Sequence, residues 1–341
     1  MKLNEFDYYL PKELIAQTPI TPRDSSKLLV LDKETGEIKD KTFFDIVTYL
    51  GNNDVLVLNK TKVLKARLKG KLTTEKGEHN CEVFLHKQIN DNSWDCLVYP
   101  GKKMKVGTKV YFDGLEGTIK QISDNGRIVE FDNGGSEFFE TIEKIGETPI
   151  PPYIKEKLED SARYQTVYSK EIGSVAAPTA GLHFTPDLIK NLEDKGVKIE
   201  YVILHIGLGT FKSIDTENIM DYKIHSEYIA LDKETSDRLN AYKKSGKNIV
   251  SVGTTSTRTL ESFATNKGEL TYGEKETTLY IYPGYKWLFV DKLITNFHLP
   301  KSSLLVLVSS LAGKENIKNA YRHAVDNKYR FFSFGDAMFI K

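Results

Sequence analysis

Apolar and polar positions change rhythm twice along the chain. Near the start, Thr42 precedes Phe43, Phe44, Ile46, Val47 and Leu50, and Asp45 stands three residues after the threonine. This is the pattern of a capping box opening a short helix, with Gly51 to end it. Asp54 to Asn59 (DVLVLN) is an unbroken apolar run, which predicts a strand covered on both faces. From about Lys65 to Thr148 the texture breaks into short alternating runs, ARLKGKL, CEVFLHK, WDCLVY, TKVYF, GTIKQI and RIVEF, separated by EKGE, NDNS, PGKK, DGLEG and SDNG. Such spacing predicts a small antiparallel barrel, with one brief helix over 136–144 to close it. Pro149, Pro151 and Pro152 then remove backbone donors and stiffen the chain where it leaves the barrel.

After Tyr153 strand and helix alternate. Thr185 and Pro186 suit N-cap and first-turn positions, Leu188, Ile189 and Leu192 make an apolar face, and Gly196 sits where a left-handed cap would fall. A strand is expected over 198–206, a helix over 232–245 ended by Gly246, and a buried strand over 248–252. Beyond them come a strand over 277–282, a helix from Ser302, another over 316–326, and a last apolar stretch over 331–340. The expectation is an α/β domain, layered on a mixed sheet and built from residues 1–64 and 149–341. A small antiparallel β-barrel domain is inserted at 65–148.

Composition narrows the function. With 341 residues, 40% hydrophobic and 28% charged, the chain has material for real cores and reads as neither disordered nor membrane-spanning. The 48 basic and 47 acidic residues leave a formal charge of +1, so a polyanion would have to be held by a local patch. Cys81 and Cys96 form no CxxC and no paired framework, which suits reduced thiols. Residues 1–10 carry Glu5 and Asp7 without a continuous apolar stretch, and 303–312 is too short to cross a bilayer. A cytoplasmic protein without membrane contact is expected.

Most standard catalytic signatures are missing. Gly207-Leu208-Gly209 follows a strand, but the third glycine of a dinucleotide fingerprint would fall at Lys212. His225-Ser226-Glu227 matches half of a zinc-deaminase signature and lacks its PCxxC, so no metal is expected. What stands out is small, polar and histidine residues at strand ends. GSVAAPTAGLHFT (173–185) runs into a helix N-terminus, where free amides favour an anion such as a ligand carboxylate; a tight turn packed under a helix would read the same way. His205 ends a strand just before GLGTF, where an imidazole can move protons, although a core histidine is the equal alternative. Gly253-Thr254-Thr255-Ser256-Thr257-Arg258 offers hydroxyls and a guanidinium suited to a carboxylate, unless Arg258 pairs with Glu261 along a helix. Lys65, Arg67, Lys69 and Lys71 alternate with Ala66, Leu68, Gly70 and Leu72, putting four cations on one strand face without a compensating acid; Lys102, Lys103, Lys105 and Lys109 form a second cluster. A phosphate backbone would fit these, and so would an ordinary solvated surface.

Together these segments resemble the S-adenosylmethionine:tRNA ribosyltransferase-isomerase family of queuosine biosynthesis, nearly end to end. The resemblance is carried by LIAQ with Pro19, Arg23-Asp24, DVLVLN with Thr61-Lys62-Val63 and Ala66-Arg67-Leu68, YQTVY (164–168) and GSVAAPTAGLHFT. Further on it is carried by His205 with GLGTF, His225-Ser226-Glu227, GTTS with RTLES, YPGY, LITNFHLPKS, and YRFFS with GDAM. The chain departs at Lys27, where the family pattern expects Arg, and at Lys60, where it expects Asp.

The resemblance implies transfer of the ribosyl part of S-adenosylmethionine onto the aminomethyl group of a 7-deazaguanine at the tRNA wobble position. Epoxyqueuosine, adenine and methionine would result. It implies a base, His205 or Glu227, and an acid toward adenine, His183 or His298. Thr179, Gly181, Gly207, Gly209, Thr254, Thr255 and Arg258 would hold S-adenosylmethionine as co-substrate, with Arg258 on its carboxylate. Asp336 would accept guanine-like N–H groups, Tyr164 or Phe184 would stack on a base, and Lys65, Arg67 and Lys69 would track phosphates. The partner is tRNA and not DNA, and the protein is expected to be a monomer. An RNA-binding adaptor or a conventional methyltransferase are the competing readings. The first has no need of the glycine- and histidine-rich clusters, and the second would release S-adenosylhomocysteine.

Overall fold

The structure, a computed structural model, describes all residues except Lys76, Asn125, Lys157, Glu159 and Lys212, and the side chains of Leu208 and Phe211 are also left undescribed. Two compact units emerge. One comprises Met1–Lys62, Pro152–Glu171 and Ala177–Lys341; the other comprises Val63–Pro151 and Ile172–Ala176.

In chain order come β1 (Lys27–Leu31), β2 (Ile38–Thr42), β3 (Asp54–Asn59), β4 (Thr61–Val63), β5 (Arg67–Thr74), β6 (Gly77–Asn90), β7 (Ser93–Tyr99), β8 (Lys109–Phe112), β9 (Leu115–Ile122), β10 (Arg127–Phe131) and helix α1 (Gly135–Ile145). These are followed by β11 (Glu171–Ser174), α2 (Pro186–Asp194), β12 (Lys198–His205), β13 (Glu227–Leu231), α3 (Lys233–Lys244), β14 (Asn248–Val252), α4 (Gly253–Phe263), β15 (Gly273–Thr277), β16 (Lys292–Asn296), α5 (Ser303–Ala312), α6 (Lys314–Asp326) and β17 (Ala337–Ile340).

The first unit is built on a nine-stranded mixed sheet in the order β15-β13-β12-β3-β14-β16-β17-β1-β2. Its centre, β12-β3-β14-β16, is parallel, and β17 joins β16 antiparallel. The period-two alternation of side chains sorts residues onto two cores. Leu29 and Leu31 of β1, Leu293 of β16 and Met338 and Ile340 of β17 pack with α5 and α6 residues such as Leu305, Val306, Ile317 and Tyr321. Leu28, Val30, Ile294 and Phe339 face the other way, toward Phe43, Phe184, Leu188 and Leu192. Each strand is therefore apolar on both faces, and β3 is buried at all six positions, as DVLVLN requires.

Local signals fall where the chain needs them. The Thr42 N–H donates to Asp45 Oδ2 at 3.0 Å, though the segment it opens, Phe43–Thr48, is a 3-10 helix. Thr185 caps α2 by accepting from the Leu188 N–H at 3.2 Å, and Gly196 and Gly246 take φ of +86° and +81° after α2 and α3. The strand expected over 277–282 is absent: β15 stops at Thr277. There the Leu279 N–H turns back onto Thr277 Oγ1 at 3.1 Å, and Tyr280 packs on Tyr222 and Tyr282 instead of pairing its backbone in the ladder.

The second unit contains a closed six-stranded antiparallel barrel, β10-β7-β6-β5-β8-β9, filled by Leu68, Leu72, Val83, Leu85, Cys96, Val110, Ile119 and Val129. Helix α1 lays Phe138 against Trp94 (centroids 5.7 Å apart) and Phe131 (4.9 Å). Both cysteines are buried and free. Among the described residues, no helix is long and apolar enough to cross a membrane.

Candidate functional site

Strand polarity brings distant residues to one edge of the mixed sheet. The carboxyl ends of β12, β3, β14 and β16 deliver His205, Asn59, the start of α4 and Asn296. The antiparallel partner β13 begins there with Glu227, and β17 begins beside Asn296. Ligands of open α/β sheets collect at this edge.

His205 is half-buried. Its ring stacks on Tyr228 (centroids 5.2 Å apart, planes 14° apart), and Nδ1 lies 2.9 Å from Thr61 Oγ1. Thr61 donates its own hydroxyl hydrogen to the Glu171 carbonyl at 3.4 Å. The consistent tautomer therefore has Nδ1–H donating to Thr61 and leaves the Nε2 lone pair free. Burial lowers the His205 pKa to about 4, against an opposing pull from Glu171, so the ring is neutral at pH 7.

Beside it, Glu227 and Arg258 form a buried ion pair. Glu227 Oε1 also accepts from Thr210 Oγ1 at 2.8 Å and lies 3.3 Å from His225 Nε2. Burial pushes the Glu227 carboxyl upward, but the hydrogen bond from His225, the Arg258 charge and the Thr210 hydroxyl outweigh it and hold the pKa below its ordinary value. Glu227 is thus a fixed counter-ion with little basicity to spare. The alternative local pair of Arg258 with Glu261 does not form. Glu261 instead accepts the backbone N–H groups of Leu288, Phe289 and Val290 and the Tyr285 hydroxyl. Among the described residues, the buried Arg258 Nη2 has no hydrogen-bond partner, and neither do Thr255 Oγ1 and Ser256 Oγ nearby in the sequence. Helix α4 starts at Gly253 (φ +80°) with no side chain capping its first amides. Helix α2, the start first expected to take an anion, is already satisfied: Thr185 caps it and donates to Asp24 Oδ2 at 2.8 Å. Gly209 leaves room for His225, whose ring a Cβ there would strike. Gly181 makes the same allowance for the Tyr168 hydroxyl, and Thr179 Oγ1 reaches Asn296 Oδ1 at 3.4 Å. Thr254 lies in the first turn of α4, and Gly207 accepts from the Thr210 N–H at 3.3 Å.

The two candidate acids differ. His183 is fully buried: Nδ1 meets Ser26 Oγ at 2.8 Å and Arg23 Nη2 at 3.4 Å, Nε2 meets Asn296 Nδ2 at 3.2 Å, and the ring stacks on Phe43. Burial, then the Arg23 and Arg330 charges, push its pKa well below the ordinary value. Arg23, itself brought down to about 9 by burial, belongs to this packed cluster. His298 holds Thr295 Oγ1 on Nε2 at 3.0 Å, and burial lowers its pKa to about 3; among the described residues its Nδ1 has no hydrogen-bond partner.

The residues expected to meet the RNA substrate are already engaged within the fold. Tyr164 and Phe184 are core residues at 0% and 1% exposure, edge-on to Phe334 and Phe43, so neither ring is free to stack on a base. Asp336 accepts a backbone N–H on each oxygen, from Lys27 at 3.0 Å and from Arg330 at 2.7 Å, and is 2% exposed. The cations of the basic barrel strand are compensated after all: Lys65 by Glu143, Arg67 by Glu82, Lys69 by Glu147 and Lys71 by Glu78. Among the described residues, no group of three or more His, Cys, Asp or Glu is arranged to hold a metal ion.

Sequence reasoning left out Thr61, Thr210, His225 and Tyr228 as site residues. Thr210 and His225 stood inside motifs already singled out, whereas Tyr228 gave no signal other than its position after Glu227.

Fold and site define an α/β protein that gathers neutral histidines and a buried, incompletely satisfied arginine at the ends of parallel strands, in a chain that also carries a β-barrel. The sequence profile of the queuosine biosynthesis protein family matches residues 3–340, and the chain belongs to that family. Among solved structures it is similar to that of an S-adenosylmethionine tRNA ribosyltransferase from Thermotoga maritima, at 38% identity, covering 99% of this chain and 100% of that one, with a TM-score of 0.57.

Proposed function

We propose that this chain is an S-adenosylmethionine:tRNA ribosyltransferase-isomerase, carried by the full-length 38% identity to the Thermotoga ribosyltransferase. The acceptor is tRNA bearing 7-aminomethyl-7-deazaguanine at the wobble position, already unpaired in its loop and cheap to extrude. The setting is the cytoplasm, with the protein acting as a monomer. Residues 1–64 and 149–341 form the catalytic domain and 65–148 the inserted barrel domain.

The sulfonium acidifies the C5′ hydrogens of S-adenosylmethionine. His205 Nε2 takes one of these protons, and Thr61 holds the ring in the tautomer that can accept it. Collapse of the resulting carbanion opens the ribose, breaks the glycosidic bond and expels adenine, which leaves with a proton. The aminomethyl nitrogen adds at C4′ of the vinyl sulfonium and loses a proton; the C5′ carbanion this leaves attacks C1′, by then an aldehyde, and the alkoxide formed there displaces sulfur from C5′, closing the epoxide and freeing methionine. The positively charged sulfur is the leaving group, so this scheme invokes no metal.

Arg258 Nη2 and the uncapped amides of α4, with Thr254 and Thr255, hold the methionine carboxylate. Glu227 positions Arg258 from the other side and is not the base. His298 is the better placed of the two histidines to donate to adenine, because His183 has both nitrogens engaged inside the core.

Chromatography of a reaction containing anticodon stem-loop with the aminomethyl base tests the reading. Free adenine and methionine in equal amounts are expected. S-adenosylhomocysteine, or an intact nucleoside after turnover, would overturn it.

A further inference from the structure

We infer that the barrel meets the acceptor RNA through the loop between β7 and β8, residues 100–108, and not through the basic strand β5; this rests on the tRNA acceptor proposed above. Every cation of β5 has a carboxylate within 4 Å, and so do Lys109 (Glu116) and Lys120 (Glu130). Their fields cancel over short distances, leaving little to attract phosphate. Lys102, Lys103 and Lys105 are exposed and, among the described residues, carry no carboxylate partner.

This loop is built, not loose. Arg127 commits its guanidinium to it, donating from Nε to the Met104 carbonyl at 2.7 Å and from Nη2 to the Gly101 carbonyl at 3.0 Å, while Nη1 takes the Gly126 carbonyl at 2.7 Å. Met104 is fully buried and anchors the middle of the loop. Turn hydrogen bonds from the Lys103 N–H to the Pro100 carbonyl and from the Thr108 N–H to the Lys105 carbonyl shape its two ends. Three like charges are thereby held within four positions, which is electrostatically unfavourable until an anion arrives. Tyr99 enters the same loop with its side chain largely in solvent, at 74% exposure. Unmatched cations beside a free aromatic ring are the elements of single-stranded RNA recognition: phosphates on the lysines and an unstacked base on the ring.

The test is tRNA binding measured against salt concentration, alongside steady-state kinetics of adenine release, for wild type and K102A/K103A/K105A. The triple variant should bind tRNA at least about tenfold more weakly near 0.1 M salt. Its plot of log affinity against log salt should be shallower by about 2, for three lost phosphate contacts. kcat and KM for S-adenosylmethionine should stay within about twofold of wild type, and the corresponding triple Gln variant should behave alike. Y99A should weaken binding without changing the salt slope, and the charge-neutral control K120Q/E130Q should leave affinity unchanged. Wild-type turnover with an unaltered salt slope in both triple variants overturns the loop assignment alone. A wild type that binds no tRNA and releases no adenine overturns the ribosyl-transfer reading along with it.

Discussion

The α/β unit and the barrel treat charge in opposite ways. In the α/β unit the informative groups are buried and, among the described residues, incompletely satisfied: Arg258 is held by Glu227 while its Nη2 has no partner, and His205 is fixed on one nitrogen with none on the other. On the barrel the cations of β5 lie at the surface and are matched one to one, as in Lys69 with Glu147 at 2.7 Å. A buried charge with an unused donor has paid its desolvation cost already and offers strong, directional binding. An exposed, paired charge is worth little either to the fold or to a ligand. Density of charge is therefore a poor guide to the site in this molecule, and residual hydrogen-bonding capacity is a better one.

The sharpest way to break the comparison is Arg258→Ala. Removing one partner of a buried pair strands the Glu227 carboxylate, so urea unfolding should show a loss of about 3–5 kcal/mol. If stability hardly changes, Glu227 is not dependent on that partner. His205→Ala should lower kcat for adenine release by about 10²–10⁴ while tRNA affinity stays within about twofold. Full activity would clear the residue of proton transfer.

Acid stability sharpens the same contrast. His205 titrates near 4 when folded and near 6.5 when unfolded, so between those values the unfolded chain binds more protons. Stability is complete above about pH 6.5 and falls as pH drops toward 4, by about 1.4 kcal/mol per unit at most for this one group. Glu227 acts in the same direction lower down: its folded pKa is depressed, so its contribution is present above the unfolded value and lost as pH falls through the folded one. Denaturant midpoints measured from pH 7 to 4 should decline, and His205→Gln should flatten the upper part of that decline. An unchanged profile in the variant would mean that His205 titrates normally. Smallest of all should be Lys69→Ala, whose exposed pair predicts a change of under about 1 kcal/mol; a larger loss would show that the barrel surface is more than a set of screened pairs.

Much of this is legible in the sequence. The barrel's short alternating runs, the doubly buried strand DVLVLN, the caps at Thr42 and Thr185 and the glycines after α2 and α3 depend on neighbours a few residues away, so local pattern specifies them. The segment 277–282 reads as a strand because its tyrosines are apolar enough for one, but in the fold they pack their rings on one another and on Tyr222 instead. The position of His205 at a strand end was also readable, since β12 simply runs out at that residue.

By itself, the sequence determined the two textures, the two faces of each central strand and the family, because periodicity and motif are properties of neighbouring residues. The tertiary structure alone decided that Arg258 turns to Glu227, 31 residues away, and not to Glu261, three positions on. It also decided that Tyr164 and Phe184 lie in the core, that Asp336 serves backbone amides, and that glutamates from β6 and from the segment around α1 neutralise the basic strand. Burial and charge pairing depend on what the fold brings within a few ångströms, and no local pattern carries that information.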